Sequence, residues 1–306
     1  MRKEGEDEWS LAMRRGDFES AWRVTDRLEG RRGERARGKD LLWNGDDPTG
    51  RRVAVRCLHG LGDTLQFSRF LPLLNEITSE LLVFPQPALV SLLEQQDGFG
   101  EAKNGWTQCP ELGSALEVEV MELAYLFRTT PTTLPAPQLR PPATHNSVVL
   151  PLANNPRLRN VAIFWAASGW GGGRYVPLTV FNPLAALPDI RFFSFQQGAF
   201  AREAETSALP IRPMSQYTTE ICDLARALAQ MDAVLAVDSM AAHLAGSLRV
   251  PVYLLLESGA NWRWLEGRND SPWYPEMRIF WRRRSWDEVI EKVAQELSSP
   301  GRMAWK

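Results

Sequence analysis

The chain has 306 residues, a formal net charge of −2 and a hydrophobic fraction of 44%. This length suggests one large domain or two of ordinary size, and the hydrophobic fraction is enough for a full core. The small net charge gives no argument for a nucleic-acid partner. No apolar run is long enough to span a bilayer and the first ten residues lack the apolar core of a signal peptide, so we expect a soluble, cytoplasmic protein. The three cysteines and three histidines are scattered, which predicts neither a disulfide framework nor a metal site.

The first predicted elements are two short helices, at residues 8–15 and 17–29, separated at Gly16. Each has an apolar face, and the spacing of Gly, Asp, Ala and Trp at the second resembles that of one tetratricopeptide unit. One such unit cannot bury its own face, so the pair must pack on the main body of the protein or dock on a partner protein. We therefore treat residues 1–40 as a helical extension that ends in a charged connector.

The stretch around which the chain is organised runs from Cys57 to Leu74 and follows the short apolar run Val53–Val55. The sequence predicts a strand at Val53–Val55, a tight turn at Gly60–Gly62 and then the buried face of a helix. A strand, glycine turn and helix present backbone N–H groups and the positive end of a helix dipole to a ligand. Asp63 begins the helix, where it caps the helix or faces the ligand crevice and accepts a proton, and these two roles are compatible.

The remainder of the first half repeats the alternation of strand and helix. We predict a strand at Leu81–Phe84 and a helix around Pro87–Gln95, followed by an apolar stretch of mixed period at Val118–Phe127. The prolines of Thr129–Pro142 exclude a regular helix or a central strand. This segment leads towards an interdomain linker that ends near Arg159.

A second alternating series begins at Asn160. Together with the first it predicts two doubly wound α/β domains, at residues 41–159 and 160–306, whose carboxyl edges face each other across a ligand cleft. The predicted strands of this half are Asn160–Trp165, Ile190–Phe195, Ala233–Val237 and Val250–Leu256, and the predicted helices are Leu178–Leu187, Thr219–Gln230, Asp238–Leu248 (a turn and helix) and Trp286–Leu297.

Two loops that follow strands in the second half carry candidates for a nucleotide site. The first contains Ser168, the glycines Gly171–Gly173 and Arg174. Glycine lets a backbone approach a phosphate closely and Arg offers it a planar fork of donors, although a glycine run is also simply a flexible loop. The second loop contains Gln196 and Gln197, which can hydrogen-bond a base or ribose or merely end a strand.

Two further loops of this half carry the other candidates. Asp238 and Ser239 follow a strand and begin a helix, with His243 about one turn further on. Helix N-terminal N–H groups, a hydroxyl and an imidazole together suit a diphosphate. The alternative is that Asp238 or Ser239 caps the helix and His243 is a satisfied core residue. In the last loop, Trp262 and Trp264 line a pocket or pack on the rim of the sheet.

Three segments in this order resemble the glycosyltransferase family 9 domain: His59–Leu74, Ala236–Leu248 and Asn261–Phe280. The resemblance covers about residues 41–297 and is greatest to the bacterial proteins in which this domain follows tetratricopeptide repeats. The domain is similar to the lipopolysaccharide heptosyltransferases. It implies the GT-B fold, with two facing Rossmann-like domains, the donor sugar nucleotide bound mainly by the second, and a last helix that crosses back to the first.

The resemblance also implies roles for individual residues. It places Asp63 as the catalytic base, and Asp238, Ser239 and His243 in the donor-diphosphate motif, where Ser239 replaces the usual Thr. The glycine-rich loop departs from the family, since Arg174 is the only candidate cation where the heptosyltransferases have Lys, and a glutamine replaces their carboxylate after the next strand. The donor-binding set is Gly62, Ser168, Arg174, Gln196, Gln197, Asp238, Ser239 and His243, and the possible pocket walls are His59, Trp170, Trp262 and Trp264.

The function implied is an inverting, metal-independent transfer of sugar from a nucleotide sugar to a hydroxyl of a saccharide, lipid-linked glycan or protein, without a cofactor. The chain contains no Asp-x-Asp sequence, which agrees with metal independence. One alternative is a non-catalytic module derived from the GT-B fold, which binds a nucleotide, or a protein through the N-terminal helices. A second alternative is a nucleotide-sugar isomerase. Consumption of a nucleotide sugar, with and without an acceptor, distinguishes the three.

Overall fold

A computed structural model describes residues 2–27, 43, 45–108, 112–143, 150, 158–167 and 174–298. The chain divides into two compact units. Unit 1 comprises Met1–Arg140 and Asn261–Gly267, and unit 2 comprises Pro141–Ala260 and Arg268–Lys306. A short segment from late in the sequence therefore belongs to the first unit, which the order of strands and helices did not predict.

Unit 1 is built on a parallel sheet. Its central strand is buried at its three middle residues, since Val53, Ala54 and Val55 have no exposed surface, as expected of a parallel strand covered on both faces. The strands are β1 (Arg52–Arg56), β2 (Glu80–Phe84), β3 (Glu101–Ala102) and β4 (Leu116–Glu119), in the order β3-β2-β1-β4. The helices are α1 (Arg2–Arg14), α2 (Phe18–Arg27), α3 (Leu61–Phe67), α4 (Leu71–Ile77), α5 (Val90–Leu93) and α6 (Leu123–Leu126).

Unit 2 is built on a larger parallel sheet, and its last helix packs on the core of that unit through an apolar stripe that begins at Val289. The strands are β5 (Arg159–Phe164), β6 (Ile190–Ser194), β7 (Ile211–Pro213), β8 (Ala233–Val237), β9 (Val252–Glu257) and β10 (Met277–Arg282), in the order β10-β9-β8-β5-β6-β7. The helices are α7 (Glu203–Thr206), α8 (Ile221–Leu228), α9 (Met240–Ser247) and α10 (Trp286–Ser298).

The mixed α/β class with two parallel sheets confirms the predicted fold class, although two helices differ in detail. The helix expected after Gly62 is interrupted by a 3-10 turn at Ser68–Phe70 before α4 starts, because Pro72 has no N–H to continue the hydrogen-bond ladder. The segment Leu178–Ala186 forms 3-10 turns where an α-helix was expected, and Pro183 within it gives the same reason.

The N-terminal helices pack on the body of unit 1. The indole N–H of Trp22 donates to the Thr129 carbonyl at 2.7 Å. The Asp26 carboxylate accepts from the Tyr125 hydroxyl at 2.6 Å and pairs with Arg128 at 2.6 Å. Of the two possibilities open from the sequence, packing on the main body is the one that the structure contains. The buried residues of α2 are Phe18, Ala21, Trp22, Val24 and Thr25.

Candidate functional site

Asp63 lies in the first turn of α3, just beyond the carboxyl end of β1. Gly60 is the N-cap of this helix, and its backbone N–H donates to Oδ2 of Asp63 at 2.9 Å. Asp63 therefore fulfils the predicted capping role. A Cβ atom added at Gly60 would stand 3.1 Å from the same Oδ2, so glycine leaves room for the carboxylate to fold back over the helix start. Gly62 lies within the first turn of α3, so the helix begins earlier than the predicted glycine turn allows.

Polar side chains hold the loop that leads from β1 to α3. The indole N–H of Trp106 donates to the Cys57 carbonyl at 2.5 Å. The amide of Gln86 donates to the His59 carbonyl at 2.8 Å and accepts from the Thr64 hydroxyl at 2.9 Å. Gln86 thus ties the loop to the first turn of α3, and His59, a candidate pocket wall, is half-buried beside it.

Glu119, at the end of β4, also binds the loop between β1 and α3. Its carboxylate accepts from the backbone N–H of Met121 at 2.7 Å and of Leu58 at 3.3 Å. Burial raises the pKa of Glu119 to about 8, against those two hydrogen bonds, and the nearby carboxylates Glu122 and Asp63 raise it further. Sequence reasoning missed this residue, because one Glu at the end of an apolar strand gives no local signal.

The second oxygen of Asp63 is bound by a residue from the far end of the chain. Nη2 of Arg263 donates to Oδ1 of Asp63 at 2.5 Å, and the two side chains are only 8% and 21% exposed. Arg263 sits in the 3-10 turn Trp262–Trp264, which belongs to unit 1. The partners are 200 residues apart in sequence. The sequence therefore indicated Trp262 and Trp264 as candidates and did not predict a role for Arg263. Trp264 is fully buried, which matches the packing alternative, and Trp262 is half-buried.

In unit 2, the structure brings Asp238, Ser239 and His243 together at the start of α9. Ser239 is the N-cap in extended conformation, yet its buried Oγ has no hydrogen-bond partner among the described residues. Nδ1 of His243 lies 2.9 Å from the Tyr274 hydroxyl, and its Nε2 lies 3.8 Å from Oδ1 of Asp238. Arg174 approaches the same turn, with Nη1 3.4 Å from the Asp238 carbonyl. The imidazole is therefore oriented by a buried hydroxyl, beside an unused serine hydroxyl.

Gln196 and Gln197 use their amides within unit 2. Oε1 of Gln196 accepts from the Ala166 N–H at 3.2 Å. Nε2 of Gln197 donates to the carbonyls of Ser215 and Thr218 at 2.9 and 3.0 Å. These bonds support the strand-end alternative for the pair. Ser168, Trp170 and the glycines Gly171–Gly173 lie outside the described residues.

The described part of the chain contains no group of three or more His, Cys, Asp or Glu side chains that could hold a metal ion. Within the same residues, no helix is both long enough and apolar enough to cross a membrane.

Comparison by sequence gives one curated relative and no family model that matches the chain. The chain is 23% identical over 292 residues to protein FlbA of Caulobacter vibrioides, which corresponds to 84% of this chain and 48% of FlbA. It therefore spans about half the length of the curated relative that it matches.

Comparison of structures gives heptosyltransferases and a family 9 glycosyltransferase. The ADP-heptose lipopolysaccharide heptosyltransferase II of E. coli matches with a TM-score of 0.57 and 12% identity, over 81% of this chain and 100% of that one. The family 9 glycosyltransferase of Veillonella parvula matches with a TM-score of 0.57 and 10% identity, over 83% of this chain and 91% of that one. The E. coli heptosyltransferase WaaC, solved with ADP, matches with a TM-score of 0.52 and 13% identity, over 81% of this chain and 98% of that one. The chain thus has the α/β fold of these glycosyltransferases, which confirms the fold class implied by the sequence resemblance.

Proposed function

We propose that the protein is a glycosyltransferase that moves a sugar from a nucleotide-sugar donor to an acceptor hydroxyl. The observation that carries the proposal is the placement of Asp63, at the carboxyl end of the central strand of a sheet with the heptosyltransferase fold. Its carboxylate is held by one backbone N–H and one guanidinium. Two bonds leave lone pairs of the carboxylate available to accept a proton.

In the proposed reaction, Asp63 acts as a general base. It takes the proton of the acceptor hydroxyl while the oxygen attacks the anomeric carbon of the donor. The bond from that carbon to the diphosphate breaks, the configuration inverts, and the nucleoside diphosphate leaves with the electron pair. Its negative charge is the charge that the donor site must stabilise.

The start of α9 supplies groups suited to that charge. The N–H groups of the first helical turn carry the positive end of the helix dipole. The unpartnered buried hydroxyl of Ser239 can donate to a phosphate oxygen, which would satisfy it. His243 is fixed by Tyr274 and can donate a second bond, and Arg174 adds a cation nearby. With these groups the diphosphate is stabilised without a metal ion.

Adenine nucleotides are the first donors to test, because one structural neighbour is described as an ADP-heptose enzyme and another was solved with ADP. Acceptors to test include saccharides, lipid-linked glycans and proteins. A thermal-shift screen of the full chain with ADP, GDP, UDP and CDP and their sugar conjugates identifies the nucleobase of the donor. A ligand that binds only the folded state raises the midpoint of thermal unfolding. Turnover of the stabilising conjugate with an acceptor supports transfer. Binding without turnover supports a non-catalytic module, and turnover without an acceptor supports an isomerase or a hydrolase.

A further inference from the structure

The segment Asn261–Gly267 is held against α1 at both of its ends. The ring of Trp262 meets that of Trp9 edge-on, with centroids 5.1 Å apart. The N–H of Glu266 donates to the Arg14 carbonyl at 2.9 Å. These contacts lie within unit 1, so the N-terminal helix forms part of the surface on which the segment is built.

The backbone of the segment is strained where it leaves the 3-10 turn. Leu265 is buried and has a φ of 51°, a region that branched side chains rarely adopt. Its side chain approaches Gly16 at the end of α1, where an added Cβ would lie 3.4 Å from Cδ1 of Leu265. Such strain persists when the surrounding contacts compensate for it, and it is concentrated at functional sites.

Arg263 is the charged residue in the middle of this 3-10 turn. It is only 7% exposed, its guanidinium stands 5.0 Å from the centre of the Trp262 ring, and its Nε–H has no acceptor among the described residues. A buried guanidinium is costly unless it is paired. Asp63 is the carboxylate that pairs with it in the described part of the chain.

We propose that Arg263 is a positioning residue for Asp63, and that α1 holds Arg263 in place through Trp262. The inference rests on the proposed function, in which Asp63 is the base. Gly60 and Arg263 each bind one carboxylate oxygen, so together they fix both the position and the rotation of the carboxylate. The N-terminal helices are then a component of the catalytic unit.

The first experiment compares the full chain carrying Arg263→Gln, Arg263→Lys or Arg263→Ala in a sugar-transfer assay. We expect kcat to fall about 10²-fold in the Gln variant, the typical cost of a displaced catalytic group, with the donor KM unchanged. Lys should restore part of the rate, and added methylguanidinium should restore part of the rate of the Ala variant. Arg268→Gln is the matched control, because it removes an exposed Arg–carboxylate pair from the neighbouring stretch.

Chemical rescue and the Lys variant separate positioning from a purely structural role. A wild-type rate for Arg263→Gln overturns the proposal. So does a loss of rate that neither Lys nor methylguanidinium relieves. If the Gln variant does not fold, the proposal is tested by comparing the Lys and Ala variants. A positioning role requires the Lys variant to keep more activity than the Ala variant.

The second experiment tests the part played by α1. We expect Trp9→Ala to lower kcat several-fold, and Leu11→Ala, on the same helix with 47% exposure, to leave it unchanged. If Trp9 acts through Arg263, the effects of Trp9→Ala and Arg263→Gln are non-additive, because residues that share one interaction couple in a double-mutant cycle. Additive effects would contradict transmission from α1 to the carboxylate.

Failure of this inference is distinguishable from failure of the proposed function. An inactive Asp63→Asn variant beside a fully active Arg263→Gln variant refutes the inference alone. A fully active Asp63→Asn variant refutes the base assignment, and the inference fails with it.

Discussion

At the scale of single residues, Glu119 makes the stability of unit 1 depend on pH. The pKa of its buried carboxyl is about 8 in the folded state, against an ordinary value of 4.5. Between these two values the folded state binds one more proton than the unfolded state, so the free energy of unfolding falls as pH rises. Because a tenfold change in a proton-binding constant is worth about 1.4 kcal/mol, the total loss of stability is on the order of a few kcal/mol.

We accordingly expect Glu119→Gln, which cannot ionise, to flatten the decline in stability between about pH 5 and pH 8. The measurement is the free energy of unfolding by urea at several pH values. The slope with pH is the informative quantity, since Met121 and Leu58 donate to different oxygens of Glu119 and the amide replaces one of those oxygens with an NH2 group that cannot accept. The control is Glu94→Gln at an exposed site, which should keep the wild-type slope. An unchanged slope for Glu119→Gln would show that this carboxyl is ionised in the folded protein.

Gly246 provides a second prediction at this scale. A Cβ added there would lie 2.6 Å from the ring of Tyr274, and that ring is fully buried. Gly246→Ala should therefore destabilise unit 2 by about 1–3 kcal/mol through overpacking, and should displace the hydroxyl that orients His243. Equilibrium unfolding in urea measures the effect. Helix propensity alone predicts stabilisation by about 1 kcal/mol, so a more stable variant would contradict this account of the His243–Tyr274 contact.

At the scale of elements, Trp22 is one of the residues that attach α2 to the rest of unit 1. Its buried ring lies 5.7 Å from that of Tyr125, and its indole N–H is bonded to Thr129. We expect Trp22→Ala to lower the free energy of unfolding by about 3–5 kcal/mol, as for other buried aromatic truncations. Arg23→Ala, on the exposed face of the same helix, serves as the control. If both variants show the same small loss, the helix is not anchored in this way.

The sequence predicts an element well when its signal is local and long enough. The apolar runs of β1, β2, β5, β6, β8 and β9 and the apolar stripe of α10 all have this property, and all are present. β3 and β7 contain two and three residues, and strands this short are not detectable from an alternating apolar pattern. β10 has six residues, but Arg278 interrupts its apolar run. Their partners in the sheet, rather than their own sequences, make these segments strands.

At the scale of the whole molecule, the same distinction applies to the candidate site. Asp63 stands next to its glycine turn, and Asp238, Ser239 and His243 lie close together in sequence, so local spacing marked them as candidates and the resemblance to glycosyltransferase family 9 assigned their roles. Arg263 could not be predicted from spacing, because it reaches its partner only when a late segment returns to unit 1.

Supporting residues of the site were missed for the same reason. Glu119, Gln86 and Trp106 each act on a loop tens of residues away in sequence, and each residue type has common roles elsewhere. Such partners are identified by tertiary packing. The residues that the local pattern predicts are those at strand ends and helix starts, where the chain direction alone brings the side chain to the site.

The most direct test of the central claim is the rate of sugar transfer by Asp63→Asn beside Asp17→Asn. Both aspartates accept a backbone N–H at the start of a helix, Asp63 from Gly60 at 2.9 Å and Asp17 from Ser20 at 3.0 Å, so both variants change a capping carboxylate to an amide. As a general base, Asp63 should contribute about 10²–10⁴-fold. We therefore expect its Asn variant to lose that much of the rate while donor binding is retained and the protein still folds, with a lower free energy of unfolding because Arg263 loses its anionic partner. We expect Asp17→Asn to remain active. Equal rates for wild type and Asp63→Asn would contradict the account.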